Sequence, residues 1–129
     1  MAKKRILIVD DEESLTRVLK YSLEETGTYE VGAENKAGAA LATAKTFKPD
    51  LILLDVIMPE LDGGQLAEQF KADPALHDVP IVFLTAITDK QEVRAHQHLL
   101  GGSPFLAKPV ELDEVIACLE QQLGRLPPQ

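Results

Sequence analysis

One cysteine, Cys118, is all that the chain contains, so no disulfide framework is possible and a reducing compartment is expected. Basic side chains are also scarce: 13 Lys and Arg against 21 Asp and Glu leave a net charge of -8. Nucleic acid and anionic membrane both need positive surface, and this balance argues against either as a direct partner. No apolar run approaches the roughly 20 residues of a membrane span. The basic start, Met1-Ala2-Lys3-Lys4-Arg5, leads into only four apolar residues, too few for the apolar segment of a signal peptide. With no membrane insertion and no export signal, a cytoplasmic location is expected. Internal repeats and low-complexity stretches are missing too, and nothing marks a second domain.

What is present fits one well-filled core: 129 residues, 45% hydrophobic and 26% charged, an ordinary globular composition. The domain is expected over residues 1–124, with 125–129 as a short tail. Three runs are apolar without interruption: Ile6-Leu7-Ile8-Val9, Leu51-Ile52-Leu53-Leu54 and Ile81-Val82-Phe83-Leu84. Such runs suit strands buried on both faces, as parallel sheets require. Each stops at a polar residue, at Asp10-Asp11, Asp55 and Thr85 respectively. Weaker strands are predicted at Tyr29–Ala33, as an edge, and at Phe105–Ala107, which stops at Lys108-Pro109.

Helical spacing fills the intervals. Leu15, Val18, Leu19 and Leu23 recur after Glu12 and Glu13, acids suited to the positive end of a helix dipole, and Gly27 is a natural stop. Asn35 is placed to cap a helix from about Ala37 to Phe47, and Asp62 to cap one through Phe70 that Asp73-Pro74 breaks. A thinly apolar helix is predicted from Asp89 to Leu100, before the turn Gly101-Gly102-Ser103-Pro104. The last helix carries Leu112, Val115, Ile116, Leu119 and Leu123 on one stripe. Five strands alternating with five helices imply an α/β chain. At this size the commonest arrangement is the flavodoxin-like doubly wound (βα)5 fold, with a five-stranded parallel sheet in the order 2-1-3-4-5.

In a parallel sheet all these strand ends share one edge. It collects Asp10, Asp11, Asp55, Thr85 and Lys108, with Asp55 central. Strands lie about 4.8 Å apart, so the Lys108 backbone starts on the order of 10 Å from Asp55, a gap that a lysine arm mostly bridges. Thr85 can supply a hydroxyl donor from one strand away. Three crowded carboxylates repel one another, and one would have to take up a proton unless a divalent cation joins them. With oxygen-only ligands and no nearby His or Cys, Mg2+ is the natural ion, keeping open positions for phosphate oxygens. A metal, an ammonium and a hydroxyl around one carboxylate suit phosphoryl transfer to an aspartate.

Five segments carry a resemblance: Ile6-Leu-Ile-Val-Asp-Asp-Glu12, Leu53-Leu-Asp-Val-Ile-Met-Pro59, Leu61-Asp-Gly63, Leu84-Thr-Ala86 and Phe105-Leu-Ala-Lys-Pro109. In this order they resemble the receiver domain of two-component response regulators, the CheY-like family, whose strand order is the one given above. The resemblance implies that Asp55 accepts a phosphoryl group from a sensor histidine kinase or a histidine phosphotransfer protein. It implies that Asp10, Asp11 and Asp55 hold Mg2+, with the carbonyl of Ile57 as a further ligand. Thr85 and Lys108 would contact the phosphoryl oxygens. Phe105 would swing inward as Thr85 moves, remodelling the face of the fourth helix, fifth strand and fifth helix toward a downstream protein. The family also makes the bond before Pro109 cis. A monomer is expected, acting through docking. Ile57 and Ile87, two residues beyond Asp55 and Thr85, are expected to slow phosphate loss by excluding water.

Rival chemistries lack their parts. An aspartyl-phosphate phosphatase of the haloacid dehalogenase type needs a second acid where Ile57 stands. A flavodoxin needs a Ser/Thr/Gly-rich phosphate loop after the first strand, where Asp10-Asp11-Glu12-Glu13 would repel phosphate. The remaining alternative is a degenerate receiver that only binds a partner. His77, His96 and His98 are read as solvated residues, Lys3-Lys4-Arg5 as a solvated start to the first strand, and Cys118 as half-buried.

Overall fold

A computed structural model of the chain describes residues 3–56, 58, 63–86 and 104–124. The strands are β1 (Lys4–Val9), β2 (Tyr29–Glu34), β3 (Leu51–Asp55), β4 (Ile81–Thr85) and β5 (Phe105–Ala107). All pairings are parallel and the order is β2-β1-β3-β4-β5, the doubly wound arrangement that the uninterrupted apolar runs predicted. β3 and β4 are buried along their whole length.

Alternation along the strands feeds two cores, one on each face. Leu7, Val9, Ile52, Leu54, Ile81 and Phe83 pack with Ala40, Ala44, Leu66 and Phe70. Ile6, Ile8, Leu51, Leu53, Val82 and Leu84 pack with Leu19, Leu23, Val115 and Leu119. The first face is covered by helices α2 (Ala40–Phe47) and α3 (Gly63–Ala72), the second by α1 (Glu13–Glu25) and the C-terminal helix (Leu112–Leu123). Each fully buried leucine contributes about 1.5–3 kcal/mol relative to exposure, so burying the central strands on both faces holds the sheet edge in place. No helix among the described residues is long and apolar enough to cross a membrane.

Three local expectations need correction. Val18 is 61% exposed. The buried stripe of α1 is Thr16, Leu19 and Leu23, and at about 100° per residue Val18 lies roughly 160° round the helix from Thr16. A threonine can take the core slot because its hydroxyl is satisfied: it donates to the Glu13 carbonyl and accepts from Asn35 Nδ2. Asn35 is spent there, so it caps nothing. The segment predicted as one helix begins instead as a 3-10 turn, Ala37–Ala39, without a side-chain cap. Nor is Arg5 merely solvated. Its Nε donates to the Phe47 carbonyl at 2.8 Å, Nη1 pairs with Glu30 at 3.1 Å, and the guanidinium lies 4.3 Å from the Phe47 ring centroid. It ties β1 to β2 and to the end of α2.

Helix ends follow backbone chemistry. α1 stops before Gly27, whose φ of +79° is open to glycine at little cost. α3 runs to Ala72, two residues past the expected Phe70 and directly before Asp73-Pro74. Cys118 is half-buried, as expected, and burial pushes its thiol pKa up. His77 is exposed beside Asp78. The predicted helix from Asp89 to Leu100 with His96 and His98, the turn at Gly101–Ser103, the Asp62 cap, Ile57, Ile87 and the tail 125–129 lie outside the described residues.

Candidate functional site

Register builds the site. Val9 pairs with Leu54, so Asp10 and Asp55, the next residue on each chain, stand side by side at the carboxyl edge. Across β4, Asp55 pairs with Leu84 and Thr85 with Ala107, which brings Thr85 and Lys108 to the same edge. The Lys108 N–H donates to the Thr85 carbonyl at 2.7 Å. The Lys108–Pro109 bond is cis. Phe105 is half-buried against the α2/α3 core.

Asp10, Asp55 and Thr85 are all buried, at 0%, 3% and 4% exposure, while Asp11 is exposed. Carboxylate oxygens of Asp10, Asp11 and Asp55 lie within 4.8 Å of one another. The backbone fixes Asp10 tightly. Its N–H donates to the Glu34 carbonyl at 3.1 Å, its Oδ1 accepts from Glu12 N–H at 2.9 Å, and its carbonyl accepts from Asn35 Nδ2 at 2.8 Å.

Gly63 sets the approach of α3 to Asp55. Its N–H donates to the Val56 carbonyl at 2.8 Å. A Cβ at this position would strike the Asp55 carbonyl oxygen and lie 2.8 Å from Val56 Cα, so only glycine lets the helix start this close to the end of β3.

Lys108 reaches into the acids. Its Nζ stands 2.8 Å from Asp10 Oδ2, 2.9 Å from Glu12 Oε1 and 3.6 Å from Asp55 Oδ1. Burial alone would lower the ammonium's pKa, but Asp10, Glu12 and Asp55 outweigh it and hold the pKa well above the ordinary lysine value. The side chain therefore stays charged throughout the physiological range. Strand spacing had pointed this arm at Asp55; it extends past Asp55 to the denser negative charge of Asp10 and Glu12.

The donors suit a hard divalent cation. All three clustered groups are carboxylates, and among the described residues Asp10 Oδ2 is buried without a hydrogen-bond partner. Lys108 is close enough to Oδ2 to form an ion pair, yet not aligned as a hydrogen bond. An acceptor held only by an ion pair can exchange that partner for a metal ion, and oxygen-only ligation favours Mg2+ over zinc or copper.

Asp10, Asp11, Asp55, Thr85 and Lys108 all come to this edge, while Phe105 lies at the start of β5, opposite Phe83. Ile57, the expected carbonyl ligand, lies outside the described residues. Glu12 and Asn35 were missed as parts of the site. Glu12 had registered only as a helix-start acid and Asn35 only as a cap, because their partners lie far away in sequence.

The comparisons agree with this geometry. Residues 6–120 match the family model of the response regulator receiver domain. The alkaline phosphatase synthesis transcriptional regulatory protein PhoP of Bacillus subtilis is 39% identical over 122 residues, covering 95% of this chain and 49% of that protein. The chain thus spans about half the length of that relative. A putative response regulator from Chloroflexus aurantiacus superposes with a TM-score of 0.84 at 31% identity, over 96% of this chain and all of the other. The Vibrio cholerae chemotaxis protein CheY4 does so with a TM-score of 0.81 at 27% identity, over 93% of this chain and 98% of the other. Matched from its first strand into its last helix, the chain belongs to the response regulator receiver domain family of two-component signalling.

Proposed function

We propose that this receiver accepts a phosphoryl group on Asp55 from a phosphohistidine of a sensor histidine kinase or a histidine phosphotransfer protein. The donor's P–N bond breaks and a P–O bond to an Asp55 carboxylate oxygen forms; the histidine nitrogen keeps the electron pair. Mg2+ on Asp10, Asp11, Asp55 and the Ile57 carbonyl would supply charge neutralisation for the incoming group. Lys108 turns from Asp10 to the phosphoryl oxygens, and Thr85 donates its hydroxyl to them. Movement of Thr85 draws Phe105 inward and changes the surface around β5 and the C-terminal helix, which a downstream protein reads. Hydrolysis of the acyl phosphate resets the domain, so its own chemistry is limited to self-phosphotransfer and autodephosphorylation. Residues 1–124 act as the receiving unit, cytoplasmic and monomeric, and pass the signal on by docking to a protein partner.

The observation that carries this reading is the placement of buried Asp55 within 4.8 Å of the Asp10 and Asp11 carboxylates and 3.6 Å from the Lys108 ammonium. The test is incubation with Mg2+ and a small-molecule phosphodonor such as acetyl phosphate, followed by peptide mass analysis. A phosphoryl mass on the Asp55 peptide, lost on adding a chelator to the reaction, is expected. Modification elsewhere, or none, would overturn the assignment.

A further inference from the structure

We infer that Glu12 is a positioning residue: it gives the Lys108 ammonium a second seat, so that a divalent cation can take Asp10 without expelling the lysine into solvent. This rests on the acceptor-site reading above and adds to it a residue outside the acid cluster.

The ammonium has three N–H donors and, among the described residues, three carboxylates around it, Asp10, Glu12 and Asp55. Two of these, Asp10 and Asp55, are also two of the three that a cation would share. A divalent ion and an ammonium on the same buried oxygens repel each other, and low local polarity strengthens the repulsion. One has to yield. Of the lysine's three partners only Glu12 stands outside the cluster, with its side chain 56% exposed. Its charge therefore costs little desolvation.

The backbone has already placed it. Glu12 is the residue before α1, yet its side chain makes no capping hydrogen bond. Its carboxylate is committed to Lys108 at 2.9 Å instead. Its N–H is anchored on Asp10 Oδ1, so the seat stays beside the site as the ammonium moves. The lysine need only loosen from Asp10 and keep the contact that it has.

The test is a double-mutant cycle on Mg2+ affinity, measured by calorimetry on the unphosphorylated protein, with Glu12→Gln, Lys108→Met and the double variant. Gln keeps the size of Glu12 and removes its charge at an exposed position, so folding is retained. Glu12→Gln is expected to weaken Mg2+ binding roughly three- to fivefold when Lys108 is present, the upper part of the range of a partly exposed ion pair, and under about 1.5-fold when residue 108 is Met. A loss with Lys108 less than twice the loss without it would overturn the inference, because Glu12 would then act only as a through-space charge. A second readout follows Lys108 itself by NMR of 15N-labelled lysine at saturating Mg2+. Its signal should stay distinct from solvent lysines in the parent and merge with them in Glu12→Gln. An unchanged signal in the variant would also overturn it. Failure of the parent protein to bind Mg2+ saturably would instead remove the acceptor-site reading, so the two failures are distinguishable.

Discussion

Strand β3 and strand β5 both end at the site, and they are built differently. All five residues of β3 are buried, and the strand is paired on both sides. β5 is three residues long, pairs among the described residues with β4 alone, and has half-buried Phe105 and Leu106 before an exposed Ala107. The first carries Asp55, the proposed acceptor; the second leads into Lys108, the cation proposed to turn toward the incoming group. Depth of packing thus separates the proposed acceptor from the cation beside it.

The largest expected effect tests the anchored side. Asp55→Asn should abolish phosphoryl incorporation while leaving the fold intact, read as complete loss of the added mass. Incorporation persisting at another residue would mean that β3 does not present the acceptor. Next, Leu53→Ala should cost about 2–5 kcal/mol in urea unfolding, as for other fully buried leucines. Leu106→Ala on β5 should cost less than half as much. Equal costs would erase the contrast between the two strands.

That contrast was largely legible in the sequence, because a strand buried on both faces needs an unbroken apolar run and Leu51–Leu54 supplies one. The polar stops after each run gave the shared edge in the same way. Contacts between distant segments were not legible. Thr16 takes a core slot with its hydroxyl bonded both to the Glu13 carbonyl and to Asn35, 19 residues away, and Val18 was assigned inward because apolar spacing alone cannot fix a helix's rotation. Glu12 and Lys108 meet across 96 residues, and strand spacing could set the reach of the lysine arm but not its choice among neighbouring acids. Arg5 looked like a solvated charge until α2 placed Phe47 beneath it.

Gly63→Ala probes the junction between the anchored strand and α3. The new methyl would strike the backbone of Asp55 and Val56, so a loss of about 1–3 kcal/mol is expected. Phosphorylation by the small donor should slow with it. A variant of parental stability and rate would show that α3 can retreat without disturbing Asp55.

The smallest effect belongs to the opposite edge. Arg5→Ala should cost about 1 kcal/mol, mostly from lost stacking on Phe47 and the lost hydrogen bond to its carbonyl, since the half-exposed pair with Glu30 is screened. Phosphorylation should be unchanged. A slowed reaction in this variant would mean that the far edge is coupled to the site.

The most direct test of the central claim is an amide NMR titration with Mg2+. Saturable shifts should concentrate on residues 10–12, 54–56, 85 and 108, and should vanish in Asp11→Asn. Shifts centred elsewhere, or none at millimolar Mg2+, would contradict the account of one sheet edge gathering the carboxylates and Lys108 around a single cation.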